Sequence, residues 1–275
     1  VKTLTVNQKL FEEKCYQLRR RFIELFSNLG FGHLTSAFSI TEILVVLYYK
    51  IMRYNTENPL DMKRDRFVLS KGHGAGMLFP IYEDLNLITK EKLESSIKIG
   101  GDLSCLQEWF YPGFTFYGGS LGIGLGMACG LAKGAQLNRQ DWLTFCIVGD
   151  AECYEGSIWE AIAFAGHHHL NNLIMIIDRN YLGCSDFTEN MLALEPLDEK
   201  IRSFHWDVCE ADGHNGEELY SSLQNIRARP SRNPFCLIAK TTKGHNLNYT
   251  ENHPLMHGYI PSKAEREKAL EELIL

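Results

Sequence analysis

Leu10, Phe11, Leu18, Phe22, Leu25 and Phe26 recur near helical spacing with charges on the other positions, which predicts an amphipathic helix over about 7–28. Gly30 and Gly32 break it. Thr41-Glu42 opens a second helix running to about Ile51. Phe67 to Ser70 reads as a short buried strand, and Ala75 to Leu85 as a helix that starts just after Gly74. Thr89 caps a further helix through about Ile97. The segment from Gly100 to Gly119 is rich in aromatics and glycine, has no clean period and reads as a loop. Leu121 to Gln136 follows as a glycine- and alanine-rich helix. Leu143 to Val148, Leu173 to Ile177 and Phe235 to Lys240 are continuous apolar runs of strand length. Such runs belong to strands covered on both faces. Pro261 to Leu275 reads as a charged helix. Alternating strands and helices predict an α/β fold, an open and mostly parallel sheet with helices on both faces, formed as a single domain over 1–275. Folds of this type bind ligands at the carboxyl ends of their strands.

Composition narrows the function class. Hydrophobic residues make up 45% and charged residues 23% of the 275, as in ordinary globular proteins. The net charge of −6 speaks against a nucleic-acid surface, which needs a clustered basic excess. Lys2, Lys9, Arg19, Arg20 and Arg21 gather near the start, but Glu12, Glu13 and Glu24 are interleaved with them, and the group reads as a solvated helix face. None of the eight cysteines forms a C-x-x-C pair, so neither a zinc site nor a disulfide framework is expected. VKTLTVNQKL has no apolar leader core, and the longest apolar run, Ile43 to Tyr49, is too short to span a bilayer. A cytoplasmic protein is expected.

The chemistry concentrates between Cys146 and Asp186. One buried strand ends in Gly149-Asp150 and the next in Asp178-Arg179-Asn180, with a helix between. That arrangement makes the strands parallel neighbours and brings Asp150 to Asn180. Two hard oxygen ligands at adjoining strand tips suit a Mg²⁺ ion bridging a diphosphate, and the carbonyl of Leu182 can reach the same ion if the chain turns there. Either piece alone reads as a strand-ending turn. His33, His73 and His257 each sit beside glycine at an element end, as imidazoles converging on one pocket would. Lys71 and Lys243 flank two of them and are candidates to pair with diphosphate oxygens. The glycine run Gly118 to Gly124 precedes a helix whose first N–H groups can cradle an anion. A dinucleotide fingerprint needs a strand immediately before the glycines, and YPGFTFYGG does not read as one. His167-His168-His169 closes a helix, where cationic side chains suit the C-terminus better than a metal does.

Taken together, GHLTSAFSITEIL, DRFVLSKGHG, GGSLGIGLGMACGLA, GDAECYEGSIWEA, AGHHHLNNLIMIIDRN and KTTKGHNLNYTENHPLMHG resemble the N-terminal, diphosphate-binding half of a transketolase over roughly residues 10–265. The resemblance implies thiamine diphosphate as cofactor, with Mg²⁺ or another divalent cation such as Ca²⁺ or Mn²⁺ held by Asp150, Asn180 and the Leu182 carbonyl. It implies Ser36, Lys71, His73, Gly119, Ser120, Leu121, Gly149, Asp150, Ala151, Asn180, Leu182, Lys243 and His257 around the cofactor. His33, His73 and His257 would face the reacting carbons and shuttle protons. Glu155 would join a glutamate network at the subunit contact.

Three departures qualify the resemblance. Leu106 stands where the family has a histidine that contacts the ketol end of the donor, with Gln107 and Glu108 as partial substitutes. Ile123 stands where glutamine is usual. The pyrimidine-binding and third domains have no counterpart within these residues, so a separate chain is expected to supply the activating glutamate, in an assembly of two copies of each. The implied reaction is transfer of a two-carbon ketol unit from a ketose, or ketose phosphate, to an aldehyde, with no activity by this chain alone. The alternative is a related thiamine enzyme that decarboxylates a 2-oxo acid or serves a non-sugar or carrier-bound acceptor, as Leu106 and Ile123 suggest. A non-catalytic binding role is the third reading, weakened by the retained Asp150 and Asn180.

Overall fold

The structure is a computed structural model and describes residues 8–27, 32–96, 116–117 and 119–274. In chain order its helices are α1 (Gln8–Phe26), α2 (Leu34–Ser39), α3 (Thr41–Val46), α4 (Leu78–Asp84), α5 (Lys90–Ser96), α6 (Gly124–Leu137), α7 (Gly156–His167), α8 (Thr188–Met191), α9 (Leu197–Arg202), α10 (Gly216–Leu223) and α11 (Arg266–Glu272). The strands are β1 (Arg66–Leu69), β2 (Phe116–Tyr117), β3 (Thr144–Gly149), β4 (Leu173–Arg179), β5 (Asp207–Asp212) and β6 (Phe235–Lys240).

The six strands form one sheet in the order β2-β1-β3-β4-β6-β5, and every pairing is parallel. The apolar runs are its central strands, and β3 and β4 are buried at every position. Successive side chains serve opposite faces. Phe67, Leu69, Phe145, Ile147, Ile174 and Ile176 pack with α1 to α4, α10 and α11. Val68, Cys146, Val148, Met175 and Ile177 pack with α6, α7 and α9. Each fully buried side chain of this kind stabilises the fold by roughly 1.5–3 kcal/mol.

Several boundaries differ from the sequence expectation for identifiable reasons. The helix expected from Leu121 starts at Gly124, because Gly122 takes φ +84° and packs so tightly that a Cβ there would lie 2.5 Å from Ser157 Oγ. The helix from Thr41 holds α geometry to Val46 and reaches Ile51 through a wider π turn. The Ala75 helix is preceded by a 3₁₀ turn over Gly72–Met77 and becomes α-helical only at Leu78. The C-terminal helix begins at Arg266 rather than near 261. Thr89 caps α5 as expected, its hydroxyl accepting from Lys92 N–H at 3.2 Å. The expected loop over 100–119 contains the short edge strand β2, so a strand does precede the glycine run. The rest of that loop, with Leu106, Gln107, Glu108 and Gly118, lies outside the described residues, as does Gly30.

Arg19 corrects the reading of a solvated basic face. It is 1% exposed and donates to both carboxylate oxygens of Glu42, at 2.6 and 2.8 Å, and to Phe38 O at 2.8 Å. Arg21 is half-buried against Glu83 and Glu94. Glu42 also meets His214 Nδ1 at 3.0 Å, and His214 Nε2 accepts from Thr242 N–H at 2.7 Å. A chain of polar contacts thus runs from α1 through α3 to the loop after β6. No described helix is long and apolar enough to cross a membrane.

Candidate active site

Parallel strands deliver their carboxyl ends to one edge, and β1, β3, β4 and β6 each place chemistry there. Gly149 pairs with Asp178 in the register, so Asp150 abuts the end of β4. Lys71 and His73 follow β1, and Thr241 and Lys243 follow β6. His33 caps the N-terminal end of α2, one turn before Ser36. The strap carrying His257 is tied to α2, with Leu34 N–H donating to Tyr259 O at 3.1 Å and Thr35 Oγ1 to Met256 O at 3.2 Å.

These elements enclose a cavity of about 380 Å³. It is lined by His33, Ser36, Lys71, His73, Gly119, Leu121, Gly149, Asp150, Ala151, Asn180, Leu182, Lys243 and His257, all candidates from the sequence. Ser120 is exposed and outside the lining. Glu155 is exposed, beside Gly122. Glu152, Tyr154, Gly183, Cys184 and Met191 also line the cavity and were not singled out in the sequence. Glu152 organises the glycine turn. It accepts from Gly122 N–H at 2.8 Å, Ser70 Oγ at 2.5 Å and Gly149 N–H at 3.0 Å. The Gly122 amide is therefore committed to Glu152 rather than free for an anion.

The three histidines do converge. Their ring centroids stand 5.2–5.5 Å apart in a triangle. Burial and the nearby lysine charges lower the proton affinity of His33 and, more strongly, His73, and push His257 down to about 3. The imidazoles are neutral near pH 7. Lys243, pushed down to about 8 by burial and by Lys71, donates to Gly183 O at 2.9 Å and to His257 Nδ1 at 3.0 Å. That contact leaves the His257 proton on Nε2.

The two lysines behave differently. Lys71 forms a buried ion pair with Asp178, so its charge is committed inside the protein rather than waiting for a phosphate. Lys243 has no carboxylate at ion-pair distance among the described residues. Asp178 is fully buried and also accepts from Ser39 Oγ at 2.7 Å, from Asn180 Nδ2 at 2.9 Å and from the Thr241 hydroxyl. Burial alone would raise its pKa, but Lys71 and these donors hold it below the usual carboxylate range.

Asp178 also orients Asn180. Because the amide nitrogen faces that carboxylate, the amide oxygen is turned the other way, where it accepts from Leu182 N–H at 3.1 Å. Tyr181 between them takes φ +63°, the turn that brings the Leu182 carbonyl back to the cavity. Asp150 Oδ1 accepts from Ala151 N–H at 2.7 Å, and Oδ2 from Tyr181 N–H at 2.6 Å and Arg179 Nη1 at 3.0 Å. Burial and Asp178 push the Asp150 carboxyl up to about 6, with Arg179 opposing, so it is ionised at neutral pH. A carboxylate, an amide oxygen and a carbonyl around one cavity form a hard-oxygen set that could hold a divalent cation. Ser36 Oγ and His33 Nδ1 are buried without partners, and Gly119 leaves open space where a Cβ would stand. Unsatisfied polar atoms and open room are what a polar cofactor would fill, so the residues fit one.

A second cluster, Glu42, His214 and His245, is the one group of metal-ligating type among the described residues. It lies beside a smaller cavity of about 130 Å³. Arg19 already balances Glu42, and both nitrogens of His214 are engaged, so no lone pair is left there for an ion. The run His167-His168-His169 closes α7 as expected and belongs to no such cluster.

An α/β sheet with a polar cavity at its carboxyl edge defines a cofactor-binding domain. Its relatives show of which kind. The family described as transketolase, thiamine diphosphate binding domain, matches residues 14–273. One of the two subunits of an apulose-4-phosphate transketolase from Phocaeicola vulgatus is 34% identical over 255 residues, covering 93% of this chain and 90% of that protein. The 6-deoxy-6-sulfo-D-fructose transketolase subunit SqwG of a Clostridium species is 33% identical, covering 93% of each. Human transketolase is 35% identical over 272 residues, and this chain spans 42% of its length. The crystal structure of transketolase from Campylobacter jejuni superposes with a TM-score of 0.88 at 26% identity, over 98% of this chain and 43% of that one. The chain belongs to the transketolase family, as its thiamine diphosphate-binding domain.

Proposed function

We propose that this chain is one half of a two-component, thiamine diphosphate-dependent transketolase-like enzyme, which moves a two-carbon ketol unit from a ketose or ketose phosphate to an aldehyde. The observation that carries the proposal is the gathering of Asp150, Asn180, Lys243 and three imidazoles around one cavity. Two relatives matched almost end to end are named as transketolase subunits, both for ketose substrates, which supports a separate partner chain. That chain would bring the pyrimidine-binding domain and its glutamate, in an assembly of two copies of each. The free cysteines of the described residues suit the reducing cytoplasm.

Asp150, Asn180 and the Leu182 carbonyl would hold Mg²⁺, with Lys243 supplying a point charge to the diphosphate. When bound, thiamine diphosphate supplies the nucleophilic carbon and the electron sink for breaking a carbon–carbon bond. The protein's own part is binding and proton handling. His33, His73 and His257, neutral at pH 7, donate one hydrogen bond and accept another, as groups that orient hydroxyls and pass protons must. The helices that cover the sheet exclude water from the inner end of the cavity.

The test is a donor comparison. With its partner chain, thiamine diphosphate and Mg²⁺, the protein should transfer from a ketose phosphate to an aldose and should leave pyruvate untouched. This chain without the partner should show no turnover. Consumption of pyruvate with no ketose turnover would move the function to the 2-oxo acid reading, which exposed Ile123 favours.

A further inference from the structure

Arg179 ends β4 between the two candidate metal ligands in space, yet its side chain is 1% exposed and leaves the cavity to others. We propose that it is a positioning residue for cation binding, which fixes the Asp150 carboxylate and locks the Thr188–Glu195 segment that walls the cavity. The proposal rests on the cofactor reading above.

A guanidinium has five N–H donors, and here five contacts use them. Nη1 donates to Asp150 Oδ2 at 3.0 Å and to Thr188 Oγ1 at 2.7 Å. Nη2 donates to Glu189 Oε1 and to Glu195 Oε1, both at 2.8 Å, and Nε to Glu195 Oε1 at 3.1 Å. The group also lies 4.2 Å from the centre of the Tyr181 ring. No lysine could span this set, because three donors on one point cannot reach acceptors spread around a plane.

Two consequences follow for Asp150. Its Oδ2 is filled by Arg179 and Tyr181 N–H, while Oδ1 accepts only from Ala151 N–H among the described residues. Oδ1 is therefore the oxygen with an unused direction for a cation. In addition, one guanidinium faces three carboxylates. Glu189 and Glu195 share its charge, so Asp150 is oriented without being neutralised. The same two glutamates accept from Leu194 N–H and Leu197 N–H, at 3.2 and 2.9 Å, which ties the segment bearing Met191 to the strand tip. The metal carboxylate and the cavity wall are thus held by one side chain.

The experiment measures Mn²⁺ binding to the full chain in the presence of thiamine diphosphate, by loss of the free-ion paramagnetic resonance signal. Arg179→Met should raise the Mn²⁺ Kd by at least about tenfold, and Arg179→Lys should fall between it and the wild type. Hydrogen exchange at the amides of 188–195 should quicken in the ligand-free Arg179→Met protein. Glu195→Gln alters a half-exposed carboxylate that lies outside the cavity and pairs with Arg179, and should raise the Kd by about threefold through Arg179 alone. If Arg179→Met does not fold, Glu195→Gln decides the matter. Folded variants that bind Mn²⁺ within about twofold of wild type overturn the proposal. No Mn²⁺ binding by the wild type overturns the cofactor reading, and this inference with it.

Discussion

Asp150→Asn should weaken binding of thiamine diphosphate with Mg²⁺ by about 100-fold, close to 2.7 kcal/mol. The reason is charge. Of the three candidate ligands, Asn180 and the Leu182 carbonyl are neutral, and Asp150 alone brings a negative charge to the cation. Asparagine keeps the shape and removes that charge. It also introduces a conflict, because Asp150 accepts on both oxygens, from Ala151 N–H on one side and from Tyr181 N–H and Arg179 on the other. Whichever way the new amide turns, its NH₂ faces a donor. Leaving such a buried group unsatisfied costs about 1–3 kcal/mol, so the variant should also melt earlier while retaining its far-ultraviolet circular dichroism. Titration calorimetry reads the affinity directly. Binding within about threefold of wild type would remove Asp150 from the metal site.

Glu42→Gln should cost about 3–5 kcal/mol of stability at pH 7, because it strips the buried Arg19 guanidinium of its counter-charge. The loss should depend on pH in a definite direction. Burial alone would raise the Glu42 pKa, but Arg19 and His214 outweigh it and hold the carboxyl well below the usual range. A carboxyl depressed on folding contributes stability that is fully present above its unfolded pKa, about 4.3, and is lost as pH falls toward the folded value. Urea denaturation of wild type and variant should therefore show a wide gap at pH 7 that narrows below about pH 4. A gap that stays constant across this range would mean that the ion pair carries no net stability. The variant also loosens the route from Glu42 through His214 to the Thr242 amide, next to Lys243, so its cofactor affinity should fall modestly.

The parts of this molecule that were legible in the sequence share a physical cause. The apolar runs of β3, β4 and β6 could only be strands covered on both faces, and their polar tips then had to meet at one edge. His33, His73 and His257 announced themselves by sitting beside glycines at element ends, where a side chain can enter a pocket. What escaped depends on contacts that a local pattern does not contain. Arg19 looks like any basic residue of an amphipathic helix, and its burial is decided by Glu42, 23 positions away. Asp178 looks like a strand end, and only Lys71, 107 positions away, makes it tolerable as a buried charge. The signal was present in both cases as a charge inside an otherwise apolar stretch, which demands a partner. β5 escaped because an edge strand is half exposed, and Asp207, Glu210 and Asp212 break any apolar run. Cys184 and Met191 reach the cavity on a segment whose course is set by Arg179, and no local pattern encodes that.

Anomalous X-ray scattering from Mn²⁺ in crystals of this chain grown with thiamine diphosphate tests the central claim most directly. The account predicts one strong peak about 2 Å from the Asp150 carboxylate and the Asn180 amide oxygen. A peak at Glu42, His214 and His245 instead, or none at the carboxyl ends of β3 and β4, would contradict it.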